Sequence, residues 1–364
     1  MRYVPIDYAR EGDFLAQPLF NEEGLVLLAK GVKLTEGLIH KIKKQGYYSL
    51  YILDDISHQE IQDMIKPEIR QRTTAVIKKI MHTIPQDKKL LSNEAREIQR
   101  NMKELVGLMK IITDEVFTQK ALVMSLVDIR NVDNYTYAHS VNVMLHALLL
   151  GISVELNRNE LYDLSIGATV HDIGKVFVPE SILKKPGALT DEEFQEMQQH
   201  TTKGFSFLKE YTDFSATARI ISLQHQERID GSGYPVNLKG DEIHLYSRIT
   251  AIADVYDALT ADRHYRRALP AKEAIEYIMG ASGRFFDGEL VKAFVSKVNP
   301  YPVGTLIKLS NGFEGIVEEV NDFTYLRPVV KILTEEGKKV TPWLCNLLKE
   351  NSLVIEDTIY KLST

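Results

Sequence analysis

His225-Gln226-Glu227-Arg228-Ile229-Asp230-Gly231-Ser232-Gly233-Tyr234-Pro235, with His171-Asp172-Ile173-Gly174-Lys175 upstream of it, decides how this chain is read. The His-Asp pair closes an apolar, helix-like stretch. It offers an imidazole and a carboxylate from neighbouring backbone positions, a donor pair suited to a divalent metal with nitrogen and oxygen preference. Working outward, the candidate ligands His139, His171, Asp172, His200, His225 and Asp254 occur at about one position per helix and loop. Side chains so spaced meet at one interior point when they share the inward faces of a helical bundle. Six of them suffice for two metals bridged by Asp172, and the chemistry implied is metal-assisted hydrolysis.

Each residue also has a blander reading. A single histidine among apolar neighbours is more often a satisfied core or surface residue, and His58, His82, His146 and His244 are assigned there. Asp254 differs, because it lies in Ile249-Thr250-Ala251-Ile252-Ala253-Asp254-Val255-Tyr256, where an unpaired carboxylate carries a heavy desolvation penalty. A metal offsets that penalty, and Arg248 or Arg263 is the competing partner. The basic run Asp262-Arg263-His264-Tyr265-Arg266-Arg267 would be ordinary decoration on a solvated helix end. Beside a metal pair it reads as a phosphate clamp, since guanidinium groups match phosphate oxygens bidentately. Lys175, four residues after His171, points an ammonium at the same oxygens if the helix continues through it.

The rest of the chain reads as several modules. A length of 364 residues predicts two or three domains. With 44% apolar and 26% charged residues, the composition is that of a soluble globular protein. The longest apolar run, Val141 to Ile152, is broken by Asn142 and His146 and falls short of the roughly 20 residues a membrane span needs. The start of the sequence has no apolar signal-like region. The single cysteine, Cys345, rules out an internal disulfide and agrees with a reducing cytoplasm. A net charge of −6 argues against duplex nucleic acid as a partner and leaves a small phosphate ligand open.

The expected fold is multidomain and mainly α. Residues 1–56 form a small α+β module, with a turn at Phe20 to Leu25 and a helix N-capped by Thr35 that stops near Gly46. Residues 57–121 form amphipathic helices that connect, pack on the main core or pair two subunits into a homodimer. Residues 122–299 form an all-helical bundle, in which Thr190 and Glu193 make a capping box and His200 shares the inner face of the helix they start. Residues 300–364 form a small antiparallel β domain with Asn311-Gly312 as a tight turn.

Taken together, the motifs resemble the HD-GYP subgroup of the HD hydrolase superfamily over roughly Leu122 to Val298. They are Tyr135-Thr136 before His139-Ser140, the His171 to Lys175 and Lys185 to Thr190 segments, the His225 to Pro235 run, and Arg248 to Arg266 with Asp254-Val255-Tyr256-Asp257-Ala258-Leu259-Thr260. The resemblance implies a cytoplasmic bacterial phosphodiesterase that linearises cyclic di-GMP to pGpG and often continues to GMP, with an Fe or Mn site. By the same resemblance His139, His171, Asp172 and Asp254 hold one metal, and Asp172, His200 and His225 the second. Tyr135 stands where three-metal members carry a Glu, which implies a two-metal site. Lys175, Tyr234, Arg263 and Arg266 are implied to contact the dinucleotide. A hydroxide between the two cations would attack phosphorus in line while Lys175, Arg263 and Arg266 stabilise phosphoryl charge, making Asp172 and Lys175 the candidate catalytic residues.

One departure stands out. The family has two adjacent histidines where this chain has His225-Gln226, and a neutral amide oxygen is a weaker ligand than imidazole. The alternative function is therefore a binding module that keeps dinucleotide affinity without hydrolysis, and a third reading is hydrolysis of another cyclic nucleotide.

Overall fold

The computed structural model describes residues 1–21, 25–57, 64–85, 91–118, 135–261, 268–321 and 324–363. It is mostly helical, with a small mixed module at the start and an antiparallel sheet at the end.

The first module pairs strands β1 (Arg2–Pro5), β2 (Phe14–Leu15) and β5 (Ser49–Leu53) in the order β1-β5-β2, and adds the β3 (Leu19–Phe20) and β4 (Val26–Leu28) hairpin. Helix α1 (Glu36–Lys44) starts where the Thr35 hydroxyl accepts from the Leu38 amide, and ends just before Gly46 at φ +79. Val4, Leu15, Leu34, Ile42 and Leu50 close its own core.

The helices that follow are α2 (Pro67–Thr83), α3 (Ser92–Thr118), α4 (Tyr135–Ser153), α5 (Arg158–Thr169), the one-turn α6 (Glu180–Leu183), α7 (Asp191–Tyr211), α8 (Ala216–Gln224), α9 (Leu245–Thr260), α10 (Ala271–Gly280) and α11 (Gly288–Val295). Helix α4 is buried on all sides from Ala138 to Gly151, the pattern of a central helix. It packs against α2, α3, α5, α9 and α11. Ile77 and Ile80 of α2 and Leu105, Met109 and Ile112 of α3 share one apolar core with Val141, Leu145 and Leu148 of α4. The buried faces of α2 and α3 are thus turned into the main core. None of the described helices is long and apolar enough to cross a membrane.

The final sheet runs β10 (Ile355–Ile359), β6 (Leu306–Leu309), β7 (Glu314–Asn321), β8 (Thr324–Glu335), β9 (Lys338–Asn346), all antiparallel. Gly312, at φ +82, makes the tight turn between β6 and β7. Cys345 is buried in this sheet's core.

Candidate metal centre

The helical bundle gathers its histidines by local devices. His139 lies on α4, the most deeply buried helix. Helix α5 begins at an Asn157–Glu160 capping box and stops at Thr169. The chain then turns through His171 and Asp172 into a 3-10 segment, Ile173–Phe177. The Thr190–Glu193 capping box fixes the start of α7, which carries His200. His225 is the C-cap of α8, and Asp254 lies on α9. The 3-10 segment approaches α7 so closely that a Cβ on Gly174 would lie 1.8 Å from the His200 carbonyl oxygen. Glycine there allows Asp172 to face His200.

The two oxygens of Asp172 look in different directions. Oδ2 lies 3.2 Å from His171 Nε2 and 3.9 Å from His139 Nε2. Oδ1 lies 3.5 Å from His225 Nε2 and 3.6 Å from His200 Nε2. On the first side Asp254 Oδ1 stands 3.0 Å from His139 Nε2 and 4.0 Å from His171 Nε2. Ligand atoms of His139, His171 and Asp254 all lie within 4.8 Å of one another, as do those of His171, Asp172 and His225. His171 therefore stands between the two groups.

Hydrogen bonds on the far side of each ring orient these imidazoles. Nδ1 of His171 lies 2.7 Å from the Ala168 carbonyl, that of His200 2.6 Å from the Met197 carbonyl, and that of His225 3.1 Å from the Ile221 carbonyl. A carbonyl only accepts, so Nδ1 carries the proton and the Nε2 lone pair faces the site. Nε2 of His200 and Nε2 of His225 then confront each other at 3.3 Å with no proton to share. His171 Nε2 and Asp172 Oδ1 are buried without a hydrogen-bond partner among the described residues. Buried polar atoms of this kind are rare and costly. Converging lone pairs on nitrogen and oxygen are the donor set a borderline divalent cation takes, so the residues fit a metal.

The charges agree. Burial would raise the Asp172 pKa, but the Lys175 ammonium holds it well below the usual carboxylate range. Asp254 is likewise lowered, mainly by its hydrogen bond with His139 against the effect of burial. Burial pushes His200 down to about 3, which keeps its imidazole neutral. For His139 burial works downward, yet hydrogen bonds with Asp254 and Asp257 hold it up at about 9. A cation entering beside His139 would displace that proton.

A loop covers one side. Gln226 donates from Nε2 to Asp254 Oδ2 at 3.1 Å. The buried Glu227 accepts from the amides of Val236, Asn237 and Leu238 at 2.7, 3.2 and 3.0 Å, pinning the loop that carries Gly233-Tyr234-Pro235. A Cβ on Gly233 would come within 2.3 Å of the Arg228 amide nitrogen, so the loop folds back on itself only with glycine there. The Tyr234 ring meets His200 edge-on, with centroids 6.2 Å apart. Burial, with Asp172 and Asp254 nearby, raises its phenol pKa, so the group stays protonated.

The HD domain family matches residues 121–290. The helical bundle is similar to this HD domain family. The chain is 39% identical over 229 residues to a cyclic di-GMP phosphodiesterase of Pseudomonas aeruginosa, covering 63% of this chain and 55% of that protein. It is 36% identical over 206 residues to a cyclic di-GMP phosphodiesterase of Thermotoga maritima, covering 54% of this chain and 55% of that one. To a 3'3'-cGAMP-specific phosphodiesterase of Vibrio cholerae it is 32% identical over 252 residues, covering 64% of this chain and 48% of the relative. The chain spans about half the length of these curated relatives. Among solved structures, an HDG"Y"P protein of Bdellovibrio bacteriovorus is 18% identical with a TM-score of 0.48, covering 80% of this chain and 97% of that one.

Within the helical bundle the structure brings together His139, His171, Asp172, His200, His225 and Asp254, with Gln226 touching Asp254. Tyr234 lies at their edge. Arg263 and Arg266 lie outside the described residues, as do His58 and the Tyr135 side chain. His82 pairs with the Tyr137 hydroxyl, His146 packs on Tyr256, and His244 caps α9 through Nδ1, all away from the cluster.

Two alternatives that the sequence leaves open are decided. Arg248 does not neutralise Asp254; it bonds Asp241 and Asp287 at 2.9 and 2.8 Å. Six residues apart on one helix, Arg248 and Asp254 point roughly 120° from each other. Nor does the helix run on from His171 to Lys175. Bonds from the Ile173 amide to the Val170 carbonyl and from the Lys175 amide to the Asp172 carbonyl tighten the chain into a 3-10 turn. That turn brings Lys175 Nζ to 2.5 Å from Asp172 Oδ2.

Sequence reasoning assigned no role to Asp257, whose Oδ2 takes the Nδ1 proton of His139 at 2.7 Å. Its signal was a second acid three positions after Asp254 on an apolar helix. Glu227 was also missed; a buried acid one residue past a ligand pair was the clue.

Proposed function

We propose that the chain is a metal-dependent phosphodiesterase that hydrolyses cyclic di-GMP to linear pGpG and onward to GMP, working in the cytoplasm. The observation that carries this reading is the division of Asp172, with one oxygen turned to His139, His171 and Asp254 and the other to His200 and His225. Two divalent cations, Fe or Mn, would supply Lewis acidity and an acidified water for in-line attack on phosphorus.

This chain's residues do the rest. Asp172 ties the two ligand groups together. His171, His200 and His225 present unprotonated Nε2 atoms, and Asp254 adds charge on the first side. Lys175, partly exposed beside Asp172, supplies an ammonium for a phosphoryl oxygen. The Tyr234 phenol, held protonated, donates to the dinucleotide at the rim, and Arg263 and Arg266 are assigned to its phosphates on sequence grounds. The relatives are named as phosphodiesterases, which does not favour the binding-module alternative.

The test is anaerobic purification, metal per chain by elemental analysis, and parallel turnover assays on cyclic di-GMP and 3'3'-cGAMP with Mn or Fe. Two metals per chain and preferred turnover of cyclic di-GMP are expected. Metal bound without turnover of either nucleotide sinks the reading, and preference for 3'3'-cGAMP moves the substrate assignment to that nucleotide.

Gln226 sets a second expectation. Its amide nitrogen is turned to Asp254, and an imidazole in its place adds a stronger nitrogen donor. Gln226→His should tighten the weaker metal by roughly tenfold in a Mn titration of the metal-free protein. An unchanged titration would show that this position lies out of reach of the metals.

A further inference from the structure

Behind His139 a chain of buried polar groups leads out of the segment matched to the HD domain family. Asp257 takes the His139 Nδ1 proton through Oδ2, and its Oδ1 accepts from Asn142 Nδ2 at 3.0 Å. Asn142 Oδ1 in turn accepts from Arg70 Nη1 at 2.6 Å. Arg70, Asn142 and Asp257 are only 8%, 5% and 2% exposed. Arg70 belongs to α2, whereas the family match begins at residue 121.

The chain has a fixed direction. An arginine has donors only, so the amide facing it must present oxygen, and its NH2 group is left for Asp257. The carboxylate must then accept from His139 as well. That combination holds the ring with Nδ1–H outward and Nε2 inward.

We propose that Arg70 is a positioning residue for the metal centre, acting through Asn142 and Asp257 on His139, so that α2 is a working part of the site although it lies outside the matched domain. This rests on the reading of His139 as a metal ligand given above. A regulatory input that shifts α2 against α4 would reach the metal through this path.

The test is Mn binding to the full-length, metal-free protein by calorimetric titration, with no substrate present. Arg70→Met keeps the apolar stem and removes the donors; it should weaken Mn binding by roughly 10- to 100-fold, the usual effect of removing an outer partner of a ligand. Arg70→Lys should recover part of that loss. Asn142→Leu should weaken binding similarly, and the double variant Arg70→Met with Asn142→Leu should lose no more than the worse single change, because both cut one path. A merely structural role would lower the melting temperature while leaving Mn affinity in place.

Parent-like affinity in folded Arg70→Met overturns the proposal while the metal reading stands, and so do additive losses in the double variant. If Arg70→Met does not fold, Arg70→Lys with Asn142→Leu decides the same question. Parent protein whose Mn binding is untouched by Asp172→Asn overturns the ligand reading, and this inference with it.

Discussion

Asp172→Asn is expected to leave the fold intact, strip the protein of metal, and slow hydrolysis of cyclic di-GMP by about a thousandfold or more. Asparagine keeps the shape of the side chain, so packing around the turn after α5 is preserved. It replaces one oxygen with an NH2 group and removes the charge. That group would face either His139 and His171 or His200 and His225, because the two carboxylate oxygens are divided between those rings. Either orientation aims a donor where a cation would sit. Lewis-acid stabilisation is worth several kcal/mol, and about 4 kcal/mol corresponds to roughly three orders of magnitude in rate. Elemental analysis and initial rates on one preparation check this. Normal metal content with normal turnover would remove Asp172 from the site.

Features written in neighbouring residues were legible in the sequence. The Thr190–Glu193 capping box, the Thr35 N-cap and the Asn311-Gly312 turn each depend on a few residues, and the structure has all three. The convergence of the six helix-borne or turn-borne candidate ligands was also legible, since about one such position per helix-plus-loop puts them on inward faces. What sequence could not supply was orientation over long range. That His171 stands between two groups depends on how α5 ends and how the 3-10 segment meets α7. The Arg70–Asn142–Asp257 path joins residues 72 and 115 positions apart, and nothing in the sequence links the three. Whether the helix continues through Lys175 was left open by its four-residue spacing from His171, and the i to i+3 bonds of the turn decide that it does not.

Gly174→Ala should damage the centre as severely as loss of a ligand, without touching one. A Cβ at this position would meet the His200 carbonyl oxygen at 1.8 Å, the Gly204 amide nitrogen at 2.7 Å and the His200 carbonyl carbon at 2.8 Å. All three are backbone atoms of α7, so no side chain can swing aside. Gly204 repeats the constraint from the other face, where a Cβ would meet Gly174 backbone nitrogen at 3.0 Å. Relief requires the 3-10 segment to lift from α7 by more than an ångström. That movement carries Asp172 away from His200, now 3.6 Å from its Oδ1, and opens the second ligand group. Overpacking of this kind costs about 3 kcal/mol or more when the backbone must give way. Gly107→Ala serves as the control, because Gly107 is exposed within α3 with nothing near its missing Cβ. It should stabilise the chain by roughly 0.5–1 kcal/mol through helix propensity alone. Denaturant unfolding and metal content of the two variants test the argument. Gly174→Ala with parental stability and a full metal complement would mean that the close approach of this turn to α7 is not what holds the two ligand groups together.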